Sequence, residues 1–378
     1  MARFSVRGSL LLDGELVRGA LLVDGRRIVQ VLREPVSEPL PRPVVEADIV
    51  SPGLIDLQVN GGFGVEVGED PESIRHLAEV LPSTGVTGFL ATAISSPPDF
   101  YPRLFAAFAT ARDAAGARPL GLHLEGPLLS PLRVGAHRKE VIESADASLI
   151  DQLLESEDVR LVTLAPERPG AMEWICKLRD RDVIVSLGHT NATASELIRG
   201  IDAGATMVTH LFNAMSPFTH RAPGAMGATL ADNRVIAGLI VDGIHSDPLS
   251  ARLAVRAKGT GGIALVTDMM SAAGLPPGEY GLGGKKVIVD EMSARLEDGT
   301  LAGAIITLDE AVRNTARWAG VTPAQALTMA TEVPARLLGF RYTGRLAAGM
   351  DADLALFDQN LQVQATYVGG EQVYRSQQ

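Results

Sequence analysis

Four residues of this chain have the types and settings that metal-assisted hydrolysis requires. They are Glu125 in GLHLEGP (121–127), His189 in VSLGHT (185–190), His210 in VTHLFNAM (208–215) and Asp268 in ALVTDMM (264–270). Each stands at the C-terminal end of its own short apolar run. One carboxylate and two imidazoles make a divalent-metal ligand set, and a separate aspartate at a fourth strand end is placed to take and return a proton. A lone histidine at a strand end more often serves packing or capping. Three suitable ligands on three separate strand ends favour metal.

The elements that must position these residues follow from the apolar pattern. Candidate strands are IDLQVN (55–60), VTGFLATA (86–93), LGLHLEG (120–126), RLVTLAP (160–166), VIVSLGH (183–189), TMVTHLF (206–212), VIAGLIVDGIH (235–245) and IALVTDM (263–269). Amphipathic helices alternate with them: PESIRHLAEVLPSTG places Ile74, Leu77, Ala78 and Leu81 on one face, and similar patterns recur at DFYPRLFAAFATARDA, TASELIRGIDAG, DPLSARLAVRAKG and TLDEAVRNTARWAG. Strands apolar on both faces belong to a covered parallel sheet. Eight strand–helix units predict an α/β fold, a (β/α)8 TIM-like barrel whose active site lies at the C-terminal strand ends; a doubly wound open sheet is the alternative. The barrel is expected over residues 51–340. Residues 1–50, with Asp-Gly at 13–14 and 24–25 and a proline-rich link EPVSEPLPRPVV, and residues 341–378 read as strands and turns that pair into one small β-sandwich domain. The segment 274–303 is longer than an ordinary connection and is expected to carry a hairpin.

Composition excludes several classes. A chain of 378 residues that is 46% hydrophobic can bury a large core. No apolar run approaches the ~18 residues needed to cross a bilayer, and the N-terminus acquires acidic residues too early for a secretory signal, so a cytoplasmic protein without a membrane partner is expected. Cys176 is the only cysteine, which excludes an intrachain disulfide or a thiolate metal cluster. The formal charge of −11 argues against a general nucleic-acid surface, yet leaves room for one small anion held by a few local cations. Gly61-Gly62-Phe63-Gly64 does not match a phosphate-loop or dinucleotide fingerprint, and no GXSXG elbow is present.

In order along the chain, SPGLIDLQVNGGFG, GLHLEGPLLSPLRVGAH, SLGHTNAT, THLFNAMSPFTHRAPGAMGA, the TDMMSAAG segment and LAGAIITLDEAVRN resemble the motifs of N-acetylglucosamine-6-phosphate deacetylases of the amidohydrolase superfamily. THLFNAM followed by HRAPG is the most specific of these, whereas the closing GRLAAGMDADLALFD is shared more widely. The resemblance implies a metal-dependent barrel, often a homodimer, that cleaves the N-acetyl amide of an amino-sugar phosphate to give glucosamine 6-phosphate and acetate.

Many amidohydrolases carry His-X-His at the end of the first strand, where this chain has Gln58 and Asn60, and RLVTLAP lacks the lysine that a bridging carbamate needs. Amides are poor ligands for zinc or iron, so one divalent metal per subunit is expected on Glu125, His189 and His210, with zinc the first choice and iron the alternative. Asp268 is then the general base and acid. His137 is a candidate donor to the acetyl carbonyl, and the resemblance makes Ala136 and His137 substrate contacts. By the same resemblance Asn213 and Ala214 contact phosphate and sugar, and Leu301, Ala302 and Gly303 line the sugar site. His245 and Arg221 are candidate phosphate partners, and the resemblance implies that the arginine reaches across from a neighbouring subunit. His220 and His76 receive no role, and His123 points to the same side of its strand as Glu125. Two alternatives stay open: an enzyme acting on another N-acetylhexosamine phosphate, such as the galacto epimer, or on a cyclic amide, and a sugar-phosphate binder without activity.

Overall fold

The structure, a computed structural model, describes residues 3–36 and 39–377; Ser37 and Glu38 of the proline-rich link, Met1 and Ala2, and Gln378 lie outside the described residues. Eight parallel strands follow one another around a barrel: Leu54–Val59, Val86–Ile94, Arg118–Glu125, Val159–Leu164, Ile184–Leu187, Met207–Val208, Ile236–Leu239 and Ile263–Leu265. The ring closes where the chain beyond the eighth strand returns to the first. A parallel bridge joins Val59 to Met269, and the Asp268 amide donates to the Gln58 carbonyl at 3.0 Å.

The last four strands are much shorter than the apolar runs predict. Runs 183–189, 206–212, 235–245 and 263–269 reduce to ladders of two to four residues, because the chain leaves the ladder before His189, His210, His245 and Asp268 are reached. His189, His210 and Asp268 take φ of 45°, 27° and 53°, outside the range of a strand.

The helices form where the pattern places them. Helix Pro71–Val80 is capped by Asp70, whose side chain accepts from the Glu72 amide, and it buries Ile74, Leu77 and Ala78 against the barrel. Helix Ala194–Ala203 starts with a reciprocal capping box between Thr193 and Glu196.

The two ends of the chain meet in a seven-stranded sheet. Its order is Glu371–Arg375, Val363–Val368, Leu354–Phe357, Val44–Pro52, Arg3–Leu12, Glu15–Asp24 and Arg27–Arg33, with the single parallel pair between Arg3–Leu12 and Val44–Pro52. Asp13 and Gly14, with φ of 50° and 78°, make the tight turn expected of Asp-Gly between the strands they join. The sheet has its own core around Phe4, Leu10, Leu21, Ile28 and Leu354. Asp353 ties it to the barrel: both carboxylate oxygens accept from Arg118 at the start of the third barrel strand, at 2.5 and 2.8 Å. The expected hairpin in 274–303 is a three-stranded flap, Gly278–Leu282, Lys285–Val289 and Ala294–Leu296, which packs Leu282, Val287 and Ala294 on Ile94 and Met270 beside the strand ends.

Candidate active site

Backbone conformation aims the side chains into the mouth of the barrel. Glu125 ends its strand and is followed by Gly126 at φ 86°; His189, His210 and Asp268 are themselves left-handed. A non-glycine residue held there costs on the order of 1–3 kcal/mol, and such strain collects at functional sites. The surrounding hydrogen bonds hold it in place.

Glu125, His189 and His210 are buried and converge. Glu125 Oε1 lies 3.0 Å from His210 Nε2 and 3.2 Å from His189 Nε2, and the two Nε2 atoms are 3.1 Å apart. All three donor atoms fall within 4.8 Å of one another. The Nδ1–H of His189 donates to the Arg133 carbonyl at 2.8 Å, which leaves the Nε2 lone pair facing its neighbours. Two imidazole nitrogens and a carboxylate oxygen turned on one point repel unless a cation lies among them. The donor set therefore fits a divalent metal ion. With protons on His189 and His210 in place of such a cation, their charge and hydrogen bonds outweigh burial and hold the Glu125 carboxyl well below the usual range.

Asp268 lines the same cavity. Its Oδ1 accepts from Gln58 Nε2 at 2.9 Å and from Asn60 Nδ2 at 2.6 Å, while Oδ2 takes no hydrogen bond from the described residues. Gln58 and Asn60, read from the sequence only as missing metal ligands, thus act as donors that clamp one carboxylate oxygen and leave the other free. Burial, reinforced by the charge of Glu125, pushes the Asp268 carboxyl up to about 6.

His137 completes the central group. The Ser95 amide donates to its Nδ1 at 3.1 Å, so the proton sits on Nε2, 3.8 Å from Glu125 Oε2. Burial pushes its imidazole down to about 3, which keeps it neutral and a donor through Nε2. His123 does not join this group: its ring bonds the Leu57 carbonyl and the Thr163 hydroxyl below the site, and burial lowers it to about 4.

These residues open into one cavity of about 370 Å³, which Ala136, Asn213, Ala214, His245, Leu301 and Gly303 also line. Ala302 is buried in the flap core and does not line it. Arg221 and His220 are exposed, outside the cavity of the single chain. Two residues without a sequence signal join the site. Asp242 Oδ2 accepts from His245 Nδ1 at 2.6 Å and fixes that ring; Arg133 lines the cavity and donates through Nε to Asn191 Oδ1 at 3.0 Å. Neither spacing nor periodicity could have marked them, because both act through loops.

A barrel whose strand ends gather one carboxylate, two imidazoles and a separately held aspartate defines a class of metal-dependent amide hydrolases. The Amidohydrolase family profile matches residues 49–373, and the chain belongs to that family. More particularly, the N-acetylglucosamine-6-phosphate deacetylase of Bacillus subtilis is 37% identical over 358 residues, covering 92% of this chain and 89% of that one. The Mycobacterium smegmatis N-acetyl-D-glucosamine-6-phosphate deacetylase, solved as an aspartate-to-alanine mutant in complex with N-acetyl-D-glucosamine-6-phosphate, superposes with a TM-score of 0.93 at 34% identity, covering 99% of this chain and 100% of that one. The N-acetylgalactosamine-6-phosphate deacetylase of Escherichia coli O157:H7 is 37% identical over 342 residues, covering 88% of this chain and 90% of that one.

Proposed function

We propose that this chain hydrolyses the N-acetyl amide of N-acetylglucosamine 6-phosphate, giving glucosamine 6-phosphate and acetate. The observation that carries the reading is the free Oδ2 of Asp268, facing a cavity it shares with three convergent metal donors. Glu125, His189 and His210 would hold one divalent ion, zinc by preference and iron as the alternative, which when bound supplies a Lewis acid and a water of lowered pKa. Asp268 takes the proton of the attacking water through Oδ2. As the C–N bond breaks, the same carboxyl returns that proton to the departing amine. His137 donates Nε2–H to the acetyl carbonyl oxygen, where negative charge develops.

Asn213, Ala214 and His245 meet the sugar and its phosphate, Ala136, Leu301 and Gly303 line the sugar, and Ala302 holds that segment from the flap core. Arg221 serves the phosphate site of a second copy in a homodimer. Phe218, Leu249 and Leu253, apolar and exposed near Arg221 and His245 in sequence, support such an interface. Within this reading residues 51–340 are the catalytic barrel, and 1–50 with 341–378 the small β domain. No helix among the described residues is long and apolar enough to cross a membrane, and we place the enzyme in the cytoplasm.

The galacto epimer is the second reading, because a relative of similar identity carries that name. Metal analysis combined with amine release from both epimeric phosphates and from the unphosphorylated sugar tests the proposal. About one metal per chain and preferred turnover of the gluco phosphate are expected. Tight binding of the phosphates without amine release would mean a binder instead.

A further inference from the structure

We propose that Arg133 is a specificity-determining residue that meets the substrate phosphate from within the same subunit; this rests on the deacetylase reading above. Among the described residues that line the cavity it is the only lysine or arginine. In the deacetylase reading the divalent ion offsets the Glu125 charge at the reacting amide, and a phosphate dianion elsewhere in the cavity gains from a fixed positive charge of its own.

The loop geometry places Arg133 near Asn213 and Ala214, which the deacetylase reading gives to the sugar and its phosphate. Its Nε bonds Asn191, and the amide of the adjoining Thr190 donates to the Ala214 carbonyl at 3.0 Å. Two residues further along the loop, a Cβ on Gly135 would stand 3.0 Å from the His189 ring and 4.0 Å from the Ala214 side chain. The Arg133 loop thus lies beside the Asn213–Ala214 turn, and Arg133 lines the same cavity as both residues. Arg133 forms no ion pair with the described residues, and Glu167, which accepts from the Thr190 hydroxyl and the Asn191 amide, is engaged elsewhere. With Nε anchored, the planar fork is held in place and its two terminal nitrogens make no hydrogen bond to the described residues. That arrangement suits two charge-assisted bonds to phosphate. The carbonyl of Arg133 orients His189, and a side-chain substitution leaves that bond in place.

The test compares Arg133→Gln, Arg133→Lys and Asn191→Leu on N-acetylglucosamine 6-phosphate and on N-acetylglucosamine. Arg133→Gln should raise KM for the phosphorylated sugar roughly 10- to 100-fold, with kcat and metal content within a few-fold of wild type and KM for the unphosphorylated sugar unchanged. Arg133→Lys should recover part of the loss, and Asn191→Leu, which keeps the charge but frees the fork, should show a smaller rise. Proportional losses on both sugars would reduce Arg133 to a loop latch and overturn the assignment, as would an unchanged KM for the phosphate. Calorimetric binding of glucosamine 6-phosphate to wild type and Arg133→Gln reads the same contact without turnover. A wild type that binds but releases no amine would sink the deacetylase reading alone, whereas equal affinity of the two proteins would sink Arg133 alone.

Discussion

The centre of the site and its rim are built differently. Glu125, His189, His210 and Asp268 stand at, or a few residues beyond, the end of a barrel ladder and are at most 9% exposed. Arg133, Ala136, Asn213, His245 and Gly303 lie on connections, and those connections lean on one another: Lys285 Nζ of the flap donates to the His137 carbonyl at 2.6 Å, and Glu66 accepts from the Gly283 amide at 2.7 Å. A ladder fixes a side chain to a fraction of an ångström, while a loop fixes it only as well as its neighbouring loops do. In the deacetylase reading the barrel therefore commits its rigid part to bond making and its adjustable part to recognition. Damage to the centre should appear in kcat, and damage to the rim in KM.

Asp268→Asn breaks the centre most completely. Turnover should fall about 10³- to 10⁴-fold, the upper part of the range for a lost general base, with metal content unchanged by elemental analysis. Near wild-type kcat would remove Asp268 from the proton path. Gln58→Leu and Asn60→Leu keep the carboxylate but release Oδ1, and each should lower kcat roughly 10- to 100-fold, a loss comparable to one charge-assisted hydrogen bond. If KM moved instead, these amides would belong to the rim.

The convergence of Glu125, His189, His210 and Asp268 on one cavity was legible because metal chemistry restricts residue types and a barrel restricts positions. Glu125, His189, His210 and Asp268 each follow an apolar run, and the eight runs order the strands correctly. The shortness of the last four ladders was not legible. His189, His210 and Asp268 leave the strand by taking left-handed φ, a choice imposed by contacts such as the Asp268 amide on the Gln58 carbonyl, 210 positions away in sequence. Gln58 and Asn60 looked like lost ligands, since their real partner, Asp268, stands next to them only because the ring closes the eighth strand onto the first. Asp242 and Arg133 carried no signal at all: an aspartate three residues before a histidine, and an arginine in an irregular loop, acquire meaning only when the loop is folded.

Arg221 tests whether the rim extends beyond one chain. If it serves a neighbouring subunit, an Arg221→Ala chain mixed with an Asp268→Asn chain should form heterodimers in which one site has its own Asp268 and the other chain's Arg221. Random pairing makes half of the dimers mixed, with one intact site in each, so roughly a quarter of wild-type activity should return. Activity that stays at the sum of the two parent variants would confine the rim to a single subunit.

The smallest expected effect concerns what lies beneath the centre. Asp56 is fully buried on the first barrel strand, and its Oδ2 accepts from the hydroxyl of Thr267, the residue before Asp268, at 2.6 Å. Burial pushes its carboxyl up to about 7, against about 4 in an unfolded chain. Between those values the folded protein holds a proton that the unfolded chain has released. Stability should therefore decline as pH rises through this window, by at most about 1.4 kcal/mol per pH unit, and level off above pH 7. Asp56→Asn removes the titrating group and should flatten the decline, read as the difference between urea midpoints of wild type and variant at pH 5 and pH 8. A rim substitution such as Arg133→Gln should leave the wild-type curve in place. Were the two variants to shift it equally, the ladder-built centre and the loop-built rim would share one stability, and the division between them would fail.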